Sequence, residues 1–316
     1  MRFNPKARLD TDRVSDSGGG GGGMGGGPMR IPIPGGTKAG GGIGGLILII
    51  LLLVVTQCTG MSLPGGGGGI DPGTQGQPAD TSRVGDDSER YANCKTGEDA
   101  NQDEDCARIA VENSLYDFWT ADFKKDGGKF TPATMQTFSG AVNTGCGQAS
   151  SQVGPFYCPP DQTIYLDTTF FRDVLQGQLD GPAGAFVEPY VIGHEYGHHI
   201  QNIAGIMGKV RTQKGENSDA VKLELQADCF AGAWTAGADG TKDDTGTQPI
   251  FESISEDDIK TAIEAAAAVG DDRIQQKTQG GVNPDAWTHG SAQQRMDAFK
   301  IGYNGTPNDC LAVGPQ

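Results

Sequence analysis

Two histidines four positions apart, His194 and His198, with Glu195 directly after the first, constrain the fold more than any other feature of this 316-residue chain. At about 3.6 residues per turn, positions i and i+4 lie on one face of an α-helix, so both imidazoles reach a single metal ion if this stretch is helical. The spacing predicts a helix with Pro189 in its first turn, running to about Ile206. The chain has four histidines, and His194, His198 and His199 all fall inside this run. Glu195 then points sideways, next to the two rings. There a carboxylate can take a proton from a water whose pKa a metal has lowered to about 7. The bland alternative is a surface helix that carries His and Glu by accident.

A catalytic tetrahedral zinc takes three protein ligands and keeps one position for water. A third histidine later on the same helix is excluded, because Gln201 and Ala204 stand where that arrangement needs Gly and His. The segment Leu223-Glu224-Leu225-Gln226-Ala227-Asp228 supplies a glutamate on a second helix, with Ser218 as its cap. Glu224 is the candidate third ligand, and Asp228, one turn on, can accept the spare N–H of a ligating histidine. Gly193 and Gly197 each cost about 1 kcal/mol relative to Ala inside a helix. Close approach of the second helix through Ala227, Ala231 and Gly232 would offset that loss. His199 lies about 100° from the metal-facing stripe and is assigned a supporting or solvent-facing role. His289, in Trp287-Thr288-His289-Gly290-Ser291-Ala292-Gln293-Gln294-Arg295, is a candidate for steadying the oxyanion of a tetrahedral intermediate, with Arg295 holding the site through acidic partners.

His194 to Gln201, Glu224 to Gly232 and Thr288 to Arg295 resemble the three sequence blocks of the bacterial neutral zinc metallopeptidase family, whose site logic is similar to that of gluzincins. Arg8-Leu9-Asp10-Thr11 and an apolar segment downstream also fit, so the resemblance covers nearly the whole chain. It implies a membrane-anchored zinc peptidase, with one zinc ion per chain held by His194, His198 and Glu224, and Glu195 as general base. It does not specify a substrate. The glycine tract from Gly18 to Gly27 departs from the family pattern, away from any catalytic residue.

The formal charge of −16 is uneven: residues 1–42 carry six Lys/Arg against three Asp/Glu, leaving 18 against 37 and a net −19 for the remainder. Such an acidic domain argues against nucleic acid as a partner. Ile43 to Val55 is apolar apart from two glycines, and no charge occurs between Lys38 and Asp71. This reads as a transmembrane signal anchor over residues 43–60. The long basic tail and the lack of an Ala-x-Ala site favour it over a cleaved leader. Basic residues on its N-terminal side predict a cytoplasmic tail over 1–42, a flexible linker over 61–87 and a domain over 88–316 outside the cytoplasm. Pro34-Gly35-Gly36-Thr37-Lys38 lacks the Gly-Lys-Ser/Thr order of a phosphate loop.

Six of the seven cysteines lie beyond residue 60. An even number outside the cytoplasm predicts disulfides. The short loops favour Cys94 with Cys106 and Cys146 with Cys158, each contributing roughly 2–3 kcal/mol by loop entropy. That leaves Cys229 to pair with Cys310 or to stay a buried free thiol.

Periodicity and capping signals predict helices over 103–118, 171–179 and 292–302, and one opened by Ser255 with Asp258 and ended by Gly270. Strands are expected at 129–130, 135–138 and 162–167. Ile164, Tyr165 and Leu166 are the candidate edge strand that binds substrate backbone, against the alternative of a structural strand. The expected fold is α+β: a mainly helical, gluzincin-like peptidase domain with a small sheet, preceded by one transmembrane helix. The expected function is hydrolysis of peptide or protein substrates outside the cytoplasm. The alternatives are a non-catalytic membrane-tethered scaffold and a zinc amidase acting on cell-wall crosslinks.

Overall fold

In a computed structural model that describes residues 1–19, 89–125 and 127–316, the chain forms an α+β domain in which two adjacent helices carry the metal-ligand pattern. It opens with β1 (Arg2–Phe3) and β2 (Val14–Gly19), then α1 (Gly97–Gln102) and α2 (Glu104–Lys125). Five strands follow: β3 (Thr134–Ser139), β4 (Ala141–Thr144), β5 (Gly147–Ser150), β6 (Phe156–Cys158) and β7 (Thr163–Asp167). After a π-helical turn at Phe171–Gln176 come α3 (Val187–Ile203), α4 (Asp219–Gly237) and β8 (Phe251–Ser253). The C-terminal part contains α5 (Glu256–Ala268), α6 (Asp271–Gln279) and α7 (Ala292–Asn304).

Local chemistry sets the helix starts. The Ser218 hydroxyl accepts the Val221 N–H at 3.2 Å, and Ser255 with Asp258 forms the expected capping box. Further capping boxes at Thr96 and Ser291 start α1 and α7. The core lies between the helices and the sheet, where Trp119 meets Phe230 edge-on at 5.4 Å and Phe186 stacks on Trp234 at 5.9 Å.

The main sheet has the order β2-β3-β7-β6, parallel between β2, β3 and β7 and antiparallel between β7 and β6. All five residues of β7 are buried, as befits a strand covered on both faces. The expected substrate strand is thereby corrected: Ile164, Tyr165 and Leu166 are interior, with β3 and β6 using both backbone edges. The edge on that side is Phe156–Cys158. The expected strand at 129–130 is also absent. Phe130 lies in a loop and packs its ring near Phe123, Tyr196 and His199.

Residues 1–19 are not the free tail expected of them. β1 pairs with β8, Phe3 stacks on Phe251 at 5.1 Å, and Leu9 and Val14 are in the core. Arg13 grips the buried Glu112 of α2 with two bonds of 2.8 and 3.1 Å, and its guanidinium sits 4.0 Å from the Tyr116 ring centre. Residues 1–19 and 89–316 thus pack into one folded body. No helix among the described residues is long and apolar enough to cross a membrane, and the expected span at 43–60 and linker at 61–87 lie outside them. Arg13→Ala leaves Glu112 buried without its cation and is expected to destabilise the full chain by about 3 kcal/mol in urea unfolding. A midpoint equal to the parent's would show that the amino-terminal segment does not dock as described.

Both favoured cysteine pairs, Cys94–Cys106 and Cys146–Cys158, are present as disulfides, and of the two alternatives for Cys229 the structure has the bridge Cys229–Cys310. The last ties the C-terminal segment to α4 one residue after Asp228.

Candidate metal centre

Small residues bring the two ligand helices together. A Cβ at Gly197 would stand 3.0 Å from the Ala227 Cα and carbonyl oxygen, and one at Gly193 would stand 3.0 Å from the Trp234 ring. The helical cost of the two glycines is thus offset by an approach that no larger residue permits. Gly232 serves a different contact from the one expected: its Cβ would lie 2.1 Å from the Phe299 carbonyl oxygen, and that of Gly302 would lie 1.8 Å from the Cys229 carbonyl oxygen. It seats α7, not α3, against α4.

Across the α3–α4 seam, one Glu224 oxygen is 3.2 Å from His194 Nε2 and the other is 3.4 Å from His198 Nε2. The ligand atoms of His194, His198 and Glu224 all lie within 4.8 Å of one another. Each ring is held by its other nitrogen. His194 Nδ1 is 2.8 Å from Asp228 Oδ1, and His198 Nδ1 is 2.8 Å from Gln201 Oε1. Acceptors at both Nδ1 atoms favour Nδ1–H tautomers, which turn both Nε2 lone pairs to the centre. This two-nitrogen, one-carboxylate set with an open cavity beside it fits zinc in a catalytic site.

The supports are themselves anchored. Arg295 donates to Asp228 through Nε at 2.7 Å and Nη2 at 2.9 Å, and the Tyr190 hydroxyl donates to Asp228 at 2.5 Å. Gln201 donates to the Leu223 carbonyl at 2.6 Å, so the residue that holds His198 also measures the distance to α4. Gln201 and Tyr190 were absent from the sequence-based site. Their signal was helical spacing, since Gln201 is three after His198 and Tyr190 four before His194.

Burial and neighbouring charges act in opposition across the cluster. Burial disfavours a charged imidazole at His194, yet Asp228 and Glu224 outweigh it and raise the group to about 10. His198 is raised against burial in the same way, chiefly by Glu224. Burial would lift Glu224, but His198 and His194 hold it well below the ordinary carboxylate range. Glu195 shows the opposite outcome, raised by burial although His194 and His198 lower it, as suits a proton acceptor. Asp228 is opposed by burial but lowered to about 2 by Arg295 and His194. A folded pKa below the unfolded value of about 3.9 gives stability that is present above about pH 4 and is lost as pH falls toward 2. Acid titration of the parent is expected to show this loss, on the order of 2 kcal/mol, and Asp228→Asn to lack it. An unchanged acid profile in Asp228→Asn would count against the assignment.

His289 reaches the same cavity from the loop before α7. Asp271 anchors this loop by accepting the N–H groups of Thr288, His289 and Gly290 at 2.7, 2.6 and 3.0 Å. His289 Nδ1 lies 2.9 Å from the Thr288 hydroxyl and 3.5 Å from Asp271 Oδ1. Asp271 stands 18 residues before His289 in a helix that the periodicity did not reveal, so nothing local pointed to it. His199 has the supporting role of the two expected, not the solvent-facing one. It is buried, bonded to the Thr131 carbonyl at 2.7 Å and the Tyr157 hydroxyl at 3.0 Å, and fastens α3 to the sheet side.

A family model described as "Putative neutral zinc metallopeptidase" matches residues 1–313. The chain belongs to this family. An uncharacterized protein of Mycobacterium tuberculosis is 46% identical over 246 residues, covering 77% of this chain and 82% of that one. The uncharacterized protein YpfJ of Escherichia coli is 42% identical over 205 residues, covering 63% of this chain and 67% of its own length. No solved structure matches. The match of the family to residues 1–313 takes in the amino-terminal strands as well as the metal centre, in line with their place in one folded body.

Proposed function

We propose that the chain is a zinc-dependent peptidase that hydrolyses peptide bonds outside the cytoplasm. The observation that carries this reading is the convergence of His194, His198 and Glu224 donors within 4.8 Å, beside the buried Glu195 and an open cavity. His194, His198 and Glu224 would hold the zinc. When bound, zinc lowers the pKa of a coordinated water to about 7 and polarises the scissile carbonyl.

The side chains around it do the rest. Glu195 takes the proton of the attacking water and passes it to the leaving amine, a role that suits a carboxyl group raised by burial. His289, from its anchored loop, donates to the oxygen that becomes negative in the transition state. Asp228 and Gln201 keep the two ligating rings in place. Gly154, Pro155 and Phe156, at and before the edge strand β6 and not in the interior β7, line the cavity where an extended substrate would lie. A scaffold that only kept the fold would have no need of three ligands, a base and two fully partnered supports.

Three disulfides support an oxidising compartment. The apolar run at 43–60 is the part we assign to the membrane. Zinc-loaded full-length protein is expected to cut an unfolded polypeptide, lose that activity to a chelator and regain it on zinc addition, followed by mass spectrometry of the products. A zinc-loaded protein that cuts purified cell-wall crosslinks and no polypeptide would replace this reading with the amidase one.

A further inference from the structure

The charged side chains lining the cavity over the metal centre are His194, Glu195, His198, Glu224, His289 and Arg295, all parts of the centre itself. The remaining wall is built largely of apolar side chains from separate segments. Phe170, Val174, Leu175 and Leu179 come from around the π-helical turn, Val269 from the end of α5 and Ile274 from α6. The cavity measures about 160 Å³. That volume includes the space beside the metal ligands, so the recess has room for about one side chain, as engineered apolar cavities of about 150 Å³ hold one benzene ring. Phe170, Val174 and Val269 are half-buried, so they keep apolar surface in contact with solvent until something covers it.

We infer that this recess takes one large uncharged side chain, that of Leu, Met, Ile or Phe, from a residue flanking the scissile bond. The inference rests on the peptidase reading and names its substrate class: peptides cut beside a bulky apolar residue. The recess and the metal ligands line one cavity, so a side chain seated there belongs to a residue next to the reacting carbonyl. A charged side chain finds no counter-charge on the apolar wall. Arg295, the cation within reach, already gives Nε and Nη2 to Asp228 at 2.7 and 2.9 Å. A glycine there would leave the apolar wall wet.

The test uses full-length Glu195→Gln protein loaded with zinc and titrated calorimetrically with leucine, glycine and aspartate hydroxamates. All three offer the metal the same chelating group, so differences among them report the recess. The leucine compound is expected to bind about 10- to 100-fold more tightly than the glycine compound, the affinity equivalent of burying one such side chain. The aspartate compound is expected to gain nothing over glycine. Val174→Glu in the same background is expected to lower leucine hydroxamate affinity at least about tenfold and leave glycine hydroxamate unchanged. Equal affinities for all three compounds, or a Val174→Glu protein with the parent's preference, would overturn the inference. Leucine preference in a protein whose Glu195-containing parent cuts no peptide would uphold the recess and sink the peptidase reading. Failure to bind zinc or any hydroxamate would remove both.

Discussion

Glu195→Gln is expected to keep zinc at one per chain and lose about three orders of magnitude in kcat, the upper part of the range for removing a general base. Gln matches the shape of Glu but cannot accept the proton of the attacking water. The fold is expected to survive, because Glu195 is buried and raised by that burial, so a neutral replacement removes a desolvated charge. The mutant's thermal midpoint should equal or exceed the parent's, and its KM for a peptide should change little. Hydrolysis at the parent rate by a zinc-loaded Glu195→Gln protein would reject Glu195 as the base.

The second large effect is on metal affinity. Glu224→Ala removes the only carboxylate in the donor group found among the described residues. It also removes the partner that raises His198. Zinc affinity should fall by more than the 10- to about 100-fold that the loss of an outer hydrogen-bond partner costs. Native mass spectrometry of the full chain is expected to show one zinc in the parent and none or a weakly held ion in the variant. Asp228→Asn and Gln201→Ala provide the calibration: each removes or weakens the partner of one ring and should cost less than the loss of a ligand. A Glu224→Ala protein with parental zinc affinity would mean that the metal sits elsewhere.

Much of the centre was legible because its geometry is local to single helices. The i, i+4 spacing of His194 and His198, and of Glu224 and Asp228, says which side chains share a face whatever surrounds the helix. Ser218, Ser255 and Ser291 fix helix starts by bonds to residues three away. The short cysteine loops narrowed the pairing in the same local way. Gln201 was equally local but was read only as a departure from a three-histidine pattern.

What escaped depends on partners far away in the chain. Ile164 to Leu166 alternate like an edge strand, and alternation is the same for an interior strand. Only the presence of 134–139 on one side and 156–158 on the other decides between them. His199 was placed correctly off the metal stripe, but its burial comes from Thr131 and Tyr157. Arg13 looked like one more positive charge before an apolar run, and became a core partner through Glu112, 99 residues later.

The sequence by itself determined the chemistry: two imidazoles and a glutamate in positions to meet, a base beside them, an aspartate to hold a ring, and cysteines in numbers that pair. Tertiary structure decided where that chemistry faces. It chose which strand edge borders the site, placed an apolar recess next to the metal ligands, swung the His289 loop inward on Asp271, and built the first nineteen residues into the domain. The reason is physical: helical periodicity and capping act over a few residues and are written in spacing, whereas edges, cavities and buried ion pairs exist only once distant segments have packed.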